Sequence, residues 1–338
     1  MKRKGVNYDV GIETGGFNLR PTWSRPKFDI EVVSREIAII KNDLNCNAIR
    51  ISGTDPDRLM AATEIALGQD LEVWLSPHLH DKDAEETLSY TIACAEKAER
   101  LRPRFSKLVF VLGCELTLFM QGLLPGNTIF ERVGSPSFMD IVKSGGHNKL
   151  LRAFLSKAVR GVRNVYQGEV TYASAPLEAV DWSMFDYVGL DYYRASHNKP
   201  SYANKLKSFH KWNKPVIVTE FGCCAYQGAD QAGGRGWMIV EHTTPKRLNG
   251  EYVRDEALQA RELTEQLTIL DDAGVEGAFV FTFIAPVWVH DKSPLYDLDM
   301  ASYALVKSYA DGRGERYPDM TWEPKQSFEA VARYYAQH

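Results

Sequence analysis

Cysteine is scarce in this 338-residue chain: Cys46, Cys94, Cys114, Cys223 and Cys224 are all it has. The number is odd and no pair has C-x-x-C spacing, so neither a disulfide framework nor a zinc ribbon is expected. Adjacent cysteines rarely meet disulfide geometry, so Cys223 and Cys224 read as free thiols, and a cytoplasmic setting is expected. The chain also has no basic block. Its 40 Lys and Arg stand against 44 Asp and Glu, for a net charge of -4, which argues against nucleic acid as a partner. No apolar run reaches membrane-spanning length, and Lys2-Arg3-Lys4 leads into Gly5-Val6-Asn7-Tyr8-Asp9 rather than the apolar core of a signal peptide. No membrane partner is expected. No G-x-G-x-x-G follows the first strand and no P-loop occurs, which weighs against a doubly wound nucleotide-binding sheet.

What the chain does have is alternation. Short runs rich in β-branched and apolar residues recur at Lys4–Val10, Cys46–Ser52, Leu71–Ser76, Lys107–Gly113, Glu169–Ser174, Asp186–Asp191, Lys214–Gly222 and Val275–Phe283. Helical or partly helical sequence separates them. Ile30, Val33, Ile37 and Ile40 repeat at helical spacing, Asp55-Pro56 is a helix start, and Asp83 with Glu86 forms a capping-box pattern. An irregular stretch is expected over 11–27 and two longer ones over 116–146 and 223–252, and stretches of that length are commonly functional. Eight strand–helix units with no composition break predict an α/β fold, a (β/α)8 TIM barrel forming one domain over residues 1–338, with long loops after strands four and seven.

Active sites of such barrels collect at the C-terminal ends of the strands. The residues there are Arg50 and Ser52, His78 and His80, Glu115, Tyr172, Tyr192 and Tyr193, Glu220, and Phe283. An ionisable group ending a buried strand is costly unless it is paired or used, so two glutamates at one mouth point to a site. The motifs Val111-Leu112-Gly113-Cys114-Glu115 and Val218-Thr219-Glu220-Phe221-Gly222 resemble those of clan A glycoside hydrolases after strands four and seven. Asn47-Ala48-Ile49-Arg50 is similar to their second strand. The resemblance implies a retaining hydrolase of carbohydrate, without metal or cofactor, with Glu115 as acid/base and Glu220 as nucleophile. It also implies Arg50 and one of Tyr192 and Tyr193 as hydrogen-bond partners of the nucleophile.

Two departures from that pattern stand out. Cys114 occupies the place of an asparagine that reads the sugar 2-hydroxyl, and strand eight ends in Phe281-Thr282-Phe283 instead of a tryptophan. His78 and His80 are candidates for sugar hydroxyls. Trp288, Trp237, Phe119, Phe283 and Tyr193 are candidates for packing on sugar faces. The sequence leaves two other readings open: a metal-dependent hydrolase using His78, His80 and Glu115, Glu220 or Asp191, and a noncatalytic carbohydrate-binding barrel. It does not specify an oligomeric state.

Overall fold

The computed structural model describes residues 1–15, 21–241 and 243–338; part of the irregular stretch expected over 11–27 lies outside them. Eight parallel strands form the barrel: β1 Arg3–Asp9, β2 Ala48–Gly53, β3 Glu72–Pro77, β4 Leu108–Cys114, β5 Glu169–Ala173, β6 Val188–Asp191, β7 Val216–Phe221 and β8 Gly277–Val280. Their hydrogen-bonded order is β5-β4-β3-β2-β1-β8-β7-β6. The two ends of that order, β5 and β6, meet through an isolated parallel bridge, Ser174 with Leu190. The barrel thus closes at a seam. Gly189 allows the close approach there, because a Cβ on it would lie 2.2 Å from the Tyr172 carbonyl oxygen.

Helices α1 Ile30–Asn42, α2 Pro56–Gly68 and α3 Ala84–Glu99 start where the sequence signals place them. Asp29 accepts the Glu31 and Val32 N–H groups, Asp55 those of Asp57 and Arg58, and the Asp83–Glu86 capping box is formed in both directions. On α1 the buried face is Val33, Ile37 and Ile40, packed over the strands. After β4 come three short helices and one long one: α4 Leu116–Phe119, α5 Ile129–Gly134, α6 Phe138–Ser144 and α7 Gly146–Val165. The stretch expected as irregular over 116–146 is therefore partly helical. Thr128 caps α5 by accepting the Glu131 N–H, and buried Arg132 ties α5 to Asp81 and to the carbonyls of Leu118 and Gly126. The remaining helices are α8 Tyr202–Lys207, α9 Ala229–Ala232, α10 Glu256–Asp272 and α11 Gln326–Gln337.

Inside the barrel, Ala48, Trp74, Val109, Val111, Ile217 and Phe279 form a packed plug. Trp74 leans on Tyr187 at 5.0 Å and on Phe279 at 5.2 Å between ring centroids. This plug is the floor of the mouth. At the strand ends the ladder shifts register between β4 and β5, β6 and β7, and β7 and β8, and such irregularities re-aim the side chains that follow them. All five cysteines are buried and unpaired. Among the described residues no helix is long and apolar enough to cross a membrane.

Candidate active site

Three of the shifted strand ends carry the acids. Between β6 and β7 the register advances so that Asp191 pairs with Glu220, not Thr219. Thr219 still contributes, through its carbonyl oxygen to Arg50 and Asn7 and its hydroxyl to Asp191. Arg50, fully buried on β2, donates from Nη1 to Glu220 Oε1 at 2.6 Å and to Asn7 Oδ1 at 3.1 Å, and from Nη2 to Ser76 Oγ at 3.1 Å. The Asn7 amide in turn donates to the carbonyls of Thr219 and Phe279, at 2.9 and 3.2 Å. A buried guanidinium is tolerable only when paired and hydrogen-bonded, and strands β1, β2, β3 and β7 share that task. The other oxygen of Glu220 accepts from the Tyr193 hydroxyl at 3.0 Å.

Cys114 ends β4 with its thiol 3.2 Å from Asp191 Oδ2 and 3.8 Å from Glu220 Oε1. Asp191 is fully buried, accepts the Thr219 hydroxyl at 2.7 Å, and lies 3.9 Å from Arg50. Burial and the neighbouring Glu220 push its carboxyl up from 3.8 to about 7. Burial likewise raises the Cys114 thiol well above the ordinary cysteine range, so it acts as a donor and not as a thiolate.

Glu115 is treated differently from Glu220. It follows β4 in a left-handed conformation, φ 44° and ψ 44°, which costs a non-glycine residue about 1–2 kcal/mol. Its carboxyl takes no hydrogen bond from any described residue, and although it stands at the N-cap of α4 it makes no side-chain cap bond. Burial first, then Asp191, Glu220 and Glu178, raise it well above the usual glutamate value, against the pull of Arg50. Two glutamates at one mouth therefore have unlike surroundings: one is clasped by a cation and a phenol, the other held toward its protonated form.

The histidines do not converge with these carboxylates. His78 Nδ1 is 3.5 Å from His80 Nε2, and the His80 ring stacks on Phe119 at 4.2 Å. With Thr87, Tyr90 and Thr91 of α3 and Leu112 and Cys114 of β4 they line a small cavity. Burial and Arg50 lower His78 well below its ordinary value, and burial and Arg132 bring His80 to about 3, so both rings are neutral. The groups that do converge, Cys114 Sγ and the carboxylates of Asp191 and Glu220, lie within 4.8 Å of one another. The Arg50 guanidinium reaches them, 2.6 Å from Glu220 and 3.9 Å from Asp191.

Several aromatics fall elsewhere than expected. Tyr192 stacks on Tyr202 at 4.7 Å, which leaves Tyr193 as the strand-six phenol on Glu220. Phe283 is fully buried against Tyr8, Trp322 and Phe328 and does not reach the mouth. The strand ends at Val280 and the chain turns, so the inward parity of Phe279 extends to Phe281, which meets Tyr193 and Tyr303 edge-on at 6.4 and 5.9 Å. Trp288 and Trp237 are half-buried in the same satellite cluster beside Tyr193. Asn7, Ser76 and Phe281 are members of the site that the strand-end inventory does not name. Inward alternation along β1 and β8 is the signal that points to Asn7 and Phe281.

No family model matches the sequence, and no curated protein matches it either. Solved structures do match. A GH113 β-1,4-mannanase aligns over 99% of this chain and 99% of its own, with a TM-score of 0.63 at 14% identity. The GH113 β-mannanase AaManA from Alicyclobacillus acidocaldarius aligns over 99% and 97%, with a TM-score of 0.61 at 15% identity. A family 1 β-glucosidase from Thermotoga maritima aligns over 98% and 97%, with a TM-score of 0.55 at 12% identity. This chain has their fold. The alignments span 98–99% of this chain.

Proposed function

We propose that this chain is a retaining glycoside hydrolase acting on a β-linked carbohydrate, with Glu220 as nucleophile and Glu115 as acid/base. The observation that carries the reading is the unequal treatment of the two glutamates: Arg50 and Tyr193 hold Glu220, while Glu115 is raised toward its protonated form and left without a partner. Environments that drive two carboxyl groups apart assign the acid and the base. The β configuration is taken from the β-mannanases and β-glucosidase that share the fold.

In the first step a Glu220 oxygen bonds to the anomeric carbon as the bond from that carbon to the leaving oxygen breaks. The proton of Glu115 goes to the leaving oxygen. In the second step a water oxygen attacks the same carbon, Glu115 takes the water's proton, and the bond to Glu220 breaks. Arg50 and Tyr193 stabilise the carboxylate that departs. Tyr193, Phe281, Trp288 and Trp237 form the aromatic flank offered to the sugar, and Cys114, already donating to Asp191, fills the corner beside Glu220 without a strong donor for the sugar.

The test is a panel of 4-nitrophenyl β-glycosides together with a 2-deoxy-2-fluoro β-glycosyl fluoride. Expected are turnover of at least one aryl glycoside and a covalent adduct on Glu220 by mass spectrometry. Binding of oligosaccharide without turnover or adduct would instead favour a noncatalytic barrel.

A further inference from the structure

An N-cap residue ordinarily uses its own side chain to satisfy the first N–H groups of its helix. Glu115 does not, and yet those N–H groups are satisfied. The Glu115 N–H donates to the Ala173 carbonyl at 2.8 Å, the Leu116 N–H to the Tyr172 hydroxyl at 2.8 Å, and the Thr117 N–H to Glu178 Oε1 at 2.9 Å. The Tyr172 hydroxyl itself donates to Glu178, 2.9 Å from each oxygen, and the Ala175 N–H donates to Glu178 Oε2 at 3.0 Å. Three consecutive backbone donors around Glu115 are thus held by β5 and the turn after it. Among the described residues no basic side chain pairs with Glu178; every partner is an N–H or O–H group.

We propose that Glu178 is a positioning residue for Glu115: its carboxylate, with the Tyr172 hydroxyl, does the capping that Glu115 would otherwise do, fixing the left-handed backbone and releasing the Glu115 side chain to the mouth. The importance of that position for turnover rests on the hydrolase reading above; the positioning itself does not. A second consequence follows from charge. The ionisable groups that face Glu115 are Asp191 of β6, Glu220 and Tyr193 at the β6–β7 side, Cys114, Arg50 of β2, and Glu178 from beyond β5. Asp191, Glu220 and Arg50 interact with one another, whereas Glu178, which burial raises and its N–H and O–H donors lower, stands outside that group and adds to the bias of Glu115 toward its protonated form.

The experiment compares the full-length protein with Glu178→Gln, which keeps shape and removes charge. Glutamate labelled at the side-chain carboxyl carbon is followed by NMR as a function of pH, the Glu115 signal being assigned by its loss in Glu115→Gln. The Glu115 midpoint is expected to fall in Glu178→Gln; an unmoved midpoint in a folded variant overturns the proposal. In parallel, cleavage of phenyl β-glycosides, which need a proton at the leaving oxygen, should drop about tenfold, and that of 2,4-dinitrophenyl β-glycosides, which need none, should stay within about twofold. Equal losses on both would mean a merely structural role and also overturn it. If Glu178→Gln does not fold, Tyr172→Phe removes the Leu116 contact while keeping the charge. The same leaving-group split is expected, and a wild-type pattern there refutes the proposal. Should the wild type cleave no aryl glycoside, the hydrolase reading fails, while the NMR titration still decides the role of Glu178.

Discussion

The Tyr193 hydroxyl donates to the one oxygen of Glu220 that Arg50 leaves free, so the carboxylate is held from two strands at once. A hydrogen bond to a charged group contributes about 1.5–3 kcal/mol. Tyr193→Phe is therefore expected to lower kcat/KM by roughly 10- to 100-fold, with little change in thermal midpoint. Steady-state kinetics beside calorimetry check this.

Glu220→Gln should abolish turnover of every aryl glycoside and remove the fluoroglycoside adduct. Glu115→Ala should lose about 10²–10⁴-fold on poor leaving groups, much less on 2,4-dinitrophenyl glycosides, and recover with added azide as a replacement nucleophile. A Glu115→Ala variant equally slow on both classes would reverse the assignment of the two roles.

Asp191 gives a stability prediction. Its carboxyl titrates at about 7 in the fold and near the ordinary 3.8 unfolded, so between those values the native state binds more protons than the unfolded one. Stability is full below about 3.8 and falls as pH rises through about 7. Asp191→Asn should flatten the decline of the thermal midpoint between pH 4 and 7. Glu115 contributes with the same sign, and Glu115→Gln measures its share separately.

Phe283 and Phe281 separate packing from function. Phe283→Ala opens a cavity between Tyr8, Trp322 and Phe328 and should cost about 3–5 kcal/mol, with kcat of the folded fraction unchanged. Phe281→Ala should cost less stability but raise KM, because it loosens Tyr193 and Tyr303. Denaturant titration and kinetics on both variants test the contrast.

Arg50, 2.6 Å from Glu220 and 3.9 Å from Asp191, is the cation proposed to serve the acids, so treatment with EDTA should leave activity intact. Arg50→Met is expected to inactivate, and loss of activity to EDTA in the wild type would contradict this account.

The barrel and its two glutamates are legible in the sequence because both depend on repetition: eight buried strands, each ending at the same face, leave few places for a costly acid. Arg50 and Tyr193 follow from the same logic. Asp191 is harder to read, since its approach to Glu220 depends on a register shift that no residue pattern announces. Asn7 on β1 donates to the carbonyls of the neighbouring strands β8 and β7, and such a contact appears only once the strands are placed. Phe283 misleads because the apolar run is read as strand through to it, whereas the strand ends at Val280. The histidines follow strand three, whose Ser76 does meet Arg50, yet their rings line a cavity with α3 and the end of β4.

The seam between β5 and β6 has a consequence for Cys114. Glu115 belongs to the run of strands on one side of that seam and Glu220 to the run on the other. The thiol of Cys114 on β4 reaches Asp191 on β6 and so fastens the two runs at the rim. An asparagine in its place would face the sugar; a cysteine faces the joint. On the proposed assignment of the two glutamates, a change at position 114 is expected to alter the span between Glu115 and Glu220, through the Cys114–Asp191 contact, before it alters which sugar fits.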